Sequence, residues 1–129
     1  MDSDDLFSTN KLTEINNFFQ KNKKYNFIFN FPKFKKNLFN FQKKKNDNSI
    51  WPTIFPTSCI SLRRSSFLKF IKYLKKDKFS YLEVDARLTI FSKFFYNEYN
   101  LLNKKLTFYS YDENSITSNI KKLSKIWWI

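Results

Sequence analysis

The sequence predicts an α+β fold, with a small mixed or antiparallel sheet and two packed helices, preceded by a basic, aromatic-rich N-terminal extension. Two observations carry this prediction. Apolar residues recur at helical spacing in the second half of the chain, and short stretches of alternating apolar residues lie between them. The composition also changes near residue 50, which divides the chain into an extension (residues 1–50) and a compact domain (residues 51–129).

The extension contains one helical and one strand-like segment. Within residues 1–20, helical spacing is found for Leu12, Ile15, Phe18 and Phe19. Thr13 is a candidate cap for this helix. In residues 25–31 apolar residues occupy every second position, so that one strand face carries Tyr25, Phe27, Phe29 and Phe31.

A basic segment with interleaved aromatics follows. Residues 21–45 contain nine lysines and no acidic residue. The candidate contact residues here are Lys33, Phe34, Lys35, Lys36, Phe39 and Phe41. Such a pattern is typical of a groove that follows a phosphate backbone and stacks bases. It is equally typical of an extension whose aromatics anchor to a larger partner, and the sequence leaves both possibilities open.

The compact domain begins with a short strand and a helix. Residues 59–62 are predicted as a strand, and Cys59 lies among apolar and small residues, which predicts a buried, unreactive thiol. Ser65 or Ser66 is the candidate cap of a helix that ends near Asp77. Its apolar stripe consists of Phe67, Phe70, Ile71 and Leu74. Arg63 and Arg64, just before the helix, either bind a phosphate or lie in a solvated loop.

Three further strands and a helix are expected after residue 78. Alternation predicts strands at 79–85, 94–102 and 105–110, with Asn103 and Lys104 turning the chain between the last two as antiparallel neighbours. Residues 112–115 then cap a final helix. The spacing that predicts this helix is that of Ile116, Ile120, Leu123 and Trp127.

The composition indicates a compartment. The chain contains no glycine and 17 phenylalanines, and Ala86 is its single alanine. Folding does not favour this, because glycine is the least strained residue wherever φ is positive. A strongly A/T-biased genome explains it, typically that of an organelle, with an A/T-rich nuclear genome as the alternative. The acidic start does not resemble a mitochondrial presequence or a secretory signal.

Several classes of chemistry are excluded. Without histidine, His-based acid–base catalysis and His-ligated metals are absent, and the single Cys59 excludes multi-cysteine metal or iron–sulfur sites. A glycine-free chain has no standard P-loop or dinucleotide fingerprint. No apolar run approaches the roughly 20 residues that span a bilayer. We therefore expect no cofactor, no catalytic residues and no transmembrane segment.

The order of features from Leu62 to Trp128 resembles a known family. A helix and a strand are followed by Phe95-Tyr-Asn-Glu-Tyr99-Asn-Leu-Leu102, another strand, Asp112-Glu113-Asn114, Ser118, a helix and Trp127-Trp128. This series resembles the 30-kDa subunit of respiratory complex I, encoded in many mitochondria as subunit 9. The first segment resembles the central strand of that family, and the tryptophan pair resembles the start of its Trp-x-Glu-Arg-Glu motif. The chain ends before the rest of that motif. The match covers about the last half of this chain, which resembles either the 30-kDa subunit or only the N-terminal half of it.

The resemblance implies a non-catalytic structural subunit in the matrix arm of mitochondrial complex I. Such a subunit carries no cofactor, packs against the 49-kDa-type subunit beside the quinone site and lies peripherally on the matrix side of the inner membrane. The candidate interface residues are Tyr99, Asp112, Glu113, Trp127 and Trp128. The two tryptophans are either interface anchors, or Trp127 completes the core and Trp128 is partly exposed. Asp112 and Glu113 are most simply turn and cap residues.

An organelle-encoded ribosomal protein is the main alternative. A small basic α+β domain with a lysine-rich arm suits rRNA, because each neutralised phosphate releases counterions. The scarcity of arginine argues against this hypothesis. An accessory subunit of another respiratory complex is a third, weaker hypothesis.

Overall fold

The structure is a computed structural model that describes residues 5–34, 52–76, 78 and 82–109. Within these residues it confirms the predicted α+β class, with three α-helices and a four-stranded mixed sheet. In chain order the elements are β1 (Leu6–Phe7), α1 (Lys11–Lys21), β2 (Phe27–Phe34), a 3₁₀ turn (Thr57–Cys59), β3 (Ile60–Leu62), α2 (Arg64–Leu74), α3 (Val84–Phe95) and β4 (Leu101–Tyr109). The predicted C-terminal helix and the residues that begin the predicted strand at 79–85 lie outside the described residues.

The strand order in the sheet is β1-β4-β2-β3. β2 and β4 are parallel, whereas β1 and β3 pair antiparallel with β4 and β2. Parallel neighbours require a crossover, which α2 and α3 supply between β2 and β4. β2 therefore lies inside the sheet, so that residues from the predicted extension share one sheet with residues from the predicted compact domain.

The two faces of β2 are covered by different helices. Phe27, Phe29 and Phe31 alternate along the strand and pack in the core, where Phe27 meets Phe91 of α3 at a ring distance of 6.2 Å. Asn30 lies between them on the opposite face and bonds to Thr107 of β4, which also contacts α1. The sheet is thus layered between α1 and the α2–α3 pair.

Two helix predictions are confirmed with corrected ends. α1 begins at Lys11 after Asn10, so Thr13 lies inside the helix instead of capping it. α2 follows Arg63, and it ends at Leu74, before the expected end near Asp77. Ser66 is buried, and its hydroxyl donates to Asn26 Oδ1 at 3.0 Å. A serine predicted as a cap therefore links α2 to the start of β2.

The strand prediction for residues 79–85 is wrong at its end, and that for residues 94–102 is wrong at its start. Val84–Phe95 is helical instead. Leu88 and Phe91 are buried at helical spacing against the sheet, while Val84 is exposed, so burial of one helical face outweighs the local alternation. Asn97 then takes a left-handed conformation (φ 53°) and ends the helical run.

The predicted turn at Asn103–Lys104 is also wrong. Leu101–Tyr109 is one strand that contains both residues. It pairs in parallel with β2, and the register shifts between Asn30 and Phe31 and between Phe31 and Pro32 take up the extra residues. Asn103 and Lys104 are exposed, and a β-bulge of this kind accommodates polar residues without ending the strand.

Candidate functional site

A buried lysine is the most unusual ionisable group in the described residues. Lys11, the first residue of α1, is only 3 % exposed. Its Nζ donates to the carbonyl of Ser58 and, at 2.8 Å, to Thr107 Oγ1, and it lies 3.6 Å from the centre of the Phe7 ring. The side chain therefore joins α1 to the 3₁₀ turn, β4 and β1.

The hydrogen bonds of this buried lysine centre continue across the sheet. Thr107 Oγ1 donates to the Ser58 carbonyl at 3.1 Å and accepts from Asn30 Nδ2 at 3.1 Å. Asn30 and Thr107 are fully buried in neighbouring strands, so the network fixes β2 against β4 beneath α1.

Burial shifts the pKa values of Lys11 and of the neighbouring Cys59. Desolvation lowers the pKa of Lys11 to about 8, although the nearby Cys59 and Asp5 partly oppose it. Burial raises the pKa of the Cys59 thiol to about 11. The predicted burial of Cys59 is confirmed, and a buried, protonated thiol is a poor nucleophile. The amine of Lys11 is equally inaccessible to a substrate, and so the centre is structural.

Sequence analysis missed a second polar centre, at Glu98. This carboxylate is buried and accepts from the backbone amides of Asn26 (2.7 Å) and Phe27 (2.9 Å). Side-chain amides of Asn26 and Asn100 donate to it at 2.8 and 3.2 Å. It fixes the loop before β4 to the start of β2. The sequence feature that could have predicted it is Asn97-Glu98, directly after the aromatic end of α3. Asn favours the left-handed region that reverses the chain after a helix, and the residue that follows can then reach backbone N–H groups of another segment.

Of the predicted interface residues, the structure describes only Tyr99. Its ring packs 5.1 Å from that of Phe29 and 6.4 Å from that of Phe55, and its hydroxyl donates to the Thr53 carbonyl at 2.6 Å. Tyr99 is half-buried in the core, so only part of its surface is open to a partner. The other four candidates, Asp112, Glu113, Trp127 and Trp128, lie outside the described residues.

The predicted basic segment is described at its beginning. Lys33 is exposed in β2, with its Nζ 5.2 Å from the centre of the Phe108 ring on the neighbouring strand. Phe34 ends β2 and pairs with Tyr109. The remaining candidates Lys35, Lys36, Phe39 and Phe41 lie outside the described residues.

Arg63 neither lies free in a solvated loop nor presents its guanidinium to a phosphate. Its Nη2 donates to the carbonyl of Phe19 at 2.8 Å, and its Nε to that of Tyr25 at 2.7 Å. Its guanidinium also lies 4.8 Å from the centre of the Phe19 ring. Arg63 thus supplies donors for the C-terminal end of α1, whereas Arg64 is exposed.

Two surfaces expose large apolar side chains. The first, the edge surface, surrounds the two-residue strand β1 and consists of Leu6, Phe7, Leu12 and Phe108. Leu6 and Leu12 are 64 % and 75 % exposed, and Leu6 pairs with Phe108 across the strands. The second, the hairpin surface, lies on α2 and α3 and consists of Leu68, Lys69, Lys72, Tyr73, Phe94 and Phe95. Phe94 and Phe95 are 63 % and 62 % exposed.

Two kinds of site are not found in the described part of the chain. Within those residues no three His, Cys, Asp or Glu side chains are grouped so that they would hold a metal ion. Among the same residues, none of the helices has the length and hydropathy of a membrane span. Comparison with known proteins adds no family, since no protein-family model, curated protein or solved structure matches this chain.

Proposed function

We propose that this chain is a non-catalytic structural subunit of a large organellar assembly, and specifically a 30-kDa-type subunit of mitochondrial respiratory complex I. In this role it braces the quinone-proximal subunits of the matrix arm and packs against the 49-kDa-type subunit. The choice of complex I rests on the sequence resemblance between Leu62 and Trp128. The structural role rests on the surface of the described residues.

The edge surface is the observation that carries a structural role. Leu12 and Leu6 are mostly exposed, and Phe7 and Phe108 add two further exposed rings around the same strand pair. The register places Leu6 and Phe108 on one face of the sheet, and Phe7 and Thr107 on the face toward Lys11 of α1. Large apolar side chains open to water on both faces of a sheet edge are typical of an assembly interface. β1 is an outer strand of the described sheet, so a partner has both side chains and a sheet edge to contact.

The polar centres support a role without catalysis. Lys11 is enclosed by its hydrogen-bond acceptors, and the carboxylate of Glu98 is engaged by four N–H donors. Both groups join separate elements of the fold. A reacting group must be able to approach a substrate within hydrogen-bond distance, and burial prevents this for Lys11.

Native separation of gently solubilised mitochondria, followed by mass spectrometry, tests the proposal. The chain is expected to migrate with NADH-oxidising complex I. A tagged copy with Leu12→Asp on the edge surface should enter the complex less well than one with Thr13→Asp. Thr13 is exposed in the same helix turn and receives the same charge. Equal incorporation of the two variants, or migration apart from complex I, contradicts the proposal.

An rRNA-binding ribosomal protein is the second candidate, favoured by the pairing of Lys33 with Phe108. An exposed cation beside an exposed ring is the element from which backbone-tracking, base-stacking surfaces are made. Sedimentation of the chain with ribosomal particles, lost in high salt or after nuclease treatment, would establish this function in place of the first. Lys33→Gln should then weaken the association, whereas Lys21→Gln on exposed α1 provides a charge-matched control.

A further inference from the structure

The hairpin surface combines cations with exposed apolar groups. α2 contains no acidic residue, and its exposed cations are Arg64, Lys69 and Lys72, followed by Lys75 and Lys76 directly after the helix. Leu68 lies among them and is also exposed. On the helix Lys72 is one turn from Leu68 and from Lys69, so charge and apolar area alternate on one face.

α3 extends this face with aromatic side chains. The ring of Tyr73 lies 5.2 Å from that of Phe91, and Lys69 Nζ lies 5.8 Å from the centre of the Tyr96 ring. These contacts make α2 and α3 antiparallel and bring Lys69 beside the C-terminal end of α3. Phe94 and Phe95 are exposed at that end. The acidic Glu83 and Asp85 lie at the N-terminal end of α3, which antiparallel packing places beside the C-terminal end of α2 and away from Lys69.

We infer that the hairpin surface binds peripherally to the surface of an anionic lipid bilayer. The lysines complement the negative headgroups, and the exposed side chains of Leu68, Phe94 and Phe95 enter the interfacial region. Cations beside bulky apolar side chains are typical of amphipathic helices that lie in the plane of the membrane interface. The inference concerns a different surface from the edge surface and does not depend on the identity of the host assembly.

A bilayer fits this surface better than a nucleic acid. Leu68 has no ring on which a base could stack, and one face of Phe95 already lies against Phe91 in a stacked arrangement at 4.7 Å. Lys69, which lies beside the Tyr96 ring, and the exposed Lys72 are both lysines, which act as point charges toward diffuse negative surfaces. Both features suit insertion among headgroups more than stepwise stacking along a strand.

Vesicle co-sedimentation of the 129-residue chain tests this inference. Phosphatidylcholine vesicles are compared with vesicles that contain about one-third phosphatidylglycerol. We expect binding to the anionic vesicles alone, weakened by raised salt. Lys69→Gln with Lys72→Gln should reduce the partition coefficient roughly fivefold per lysine. Phe94→Ser, at an exposed position, should reduce it roughly tenfold through lost apolar transfer.

Matched variants at the end of α1 and just after it are the controls. Lys21→Gln with Lys23→Gln removes the same charge from exposed positions outside the hairpin surface. If these variants lose as much binding as the Lys69 and Lys72 pair, net charge alone is responsible and the inference fails. It also fails if the chain binds neutral vesicles as well as anionic ones, or binds neither. A competition with mixed-sequence RNA is a further test. Displacement from anionic vesicles by RNA whose phosphate concentration is lower than that of the lipid phosphate would contradict the inference. Circular dichroism of each variant confirms that the comparison is between folded proteins.

Discussion

Arg63, which lies between β3 and α2, caps the C-terminal end of α1 by contacting Phe19 twice. Its Nη2 donates to the Phe19 carbonyl at 2.8 Å, and its guanidinium plane lies 4.8 Å from the centre of the Phe19 ring. The same nitrogen lies 3.4 Å from the Asn22 carbonyl. The last carbonyls of a helix have no partner within the helix, so a planar side chain with several donors suits this position.

Arg63→Ala should therefore lower the free energy of unfolding by roughly 2–3 kcal/mol, the range for hydrogen bonds to charged groups and the ring contact they accompany. Arg63→Lys keeps the charge and loses the fork of donors, and most of this loss is expected to remain. Urea denaturation followed by circular dichroism measures both. Arg64→Ala, at the exposed neighbouring position, is the control and should change stability by less than about 0.5 kcal/mol. A lysine variant as stable as the wild type would contradict the capping role.

Glu98→Gln should also destabilise the fold, by roughly 2 kcal/mol or more. The carboxylate accepts from two backbone amides and two side-chain amides, and a glutamine would turn one acceptor oxygen into a donor facing other donors. The same urea assay checks this loss.

Glu14→Gln is the matched control for that substitution. Glu14 pairs with Lys104 at 2.6 Å on a partly exposed helix face, and such pairs contribute at most about 1 kcal/mol. If the two glutamine variants unfold at the same urea concentration, the Glu98 network is not the link that the structure indicates.

The predictability of this fold depended on whether local pattern and tertiary packing agreed. In β2 Phe27, Phe29 and Phe31 alternate with Ile28 and Asn30, and this spacing agrees with the two covered faces of the sheet, so the strand was predictable. In α3 the spacing of Leu88 and Phe91 competed with flanking alternation, and only the burial of one helix face decided between them. The parallel pairing of β2 with β4 joins residues more than 70 positions apart and leaves no local signal.

The polar centres were harder to predict than the elements. Lys11 occurs in a lysine-rich chain, and nothing in its immediate sequence distinguishes it from the solvated lysines. Its burial follows from contacts with Ser58 and Thr107, which are distant in the chain. Arg63 was interpreted as a phosphate ligand or a solvated residue for the same reason, because its partners on α1 are unrelated to it by any spacing.

Phe91 is the aromatic residue on which the packing of α3 depends. Its ring contacts those of Phe27 at 6.2 Å, Phe70 at 5.3 Å and Phe95 at 4.7 Å. Phe91→Ala should lower the free energy of unfolding by about 3–5 kcal/mol, since it removes a buried ring and leaves a cavity. Phe94→Ala, three residues along the same helix and mostly exposed, should cost less than about 1 kcal/mol. Thermal denaturation of the two variants compares them directly, and similar losses would show that α3 does not present Phe91 to the sheet.

The buried lysine centre should give stability a pH dependence of defined sign. The pKa of Lys11 is lowered to about 8 in the folded chain, so the unfolded chain binds more protons between pH 8 and the ordinary lysine value of 10.5. The free energy of unfolding should therefore increase as pH rises above 8, by about 1 kcal/mol between pH 8 and 9. It loses this contribution as pH falls through 8, because the buried amine must then take up a proton. Lys11→Met should remove this rise, whatever its effect on absolute stability. Urea midpoints at closely spaced pH values measure it, and an unchanged slope in Lys11→Met would exclude Lys11 as its source.

Above pH 9, titration of Cys59 should lower the free energy of unfolding and so oppose the increase due to Lys11. Burial raises the pKa of its thiol from 9.0 to about 11, so the folded chain holds the proton longer than the unfolded chain. Its contribution is complete below pH 9 and is lost as pH rises through 11, which offsets the gain from Lys11 over the same interval. Cys59→Ala should therefore let stability continue to rise between pH 9 and 10.5, where the wild type levels off. The difference between the two urea-midpoint curves reports the thiol together with its coulombic effect on Lys11, since Cys59 raises the pKa of that amine. Parallel curves across this interval would mean that the thiol titrates with the same pKa in the folded and unfolded chains.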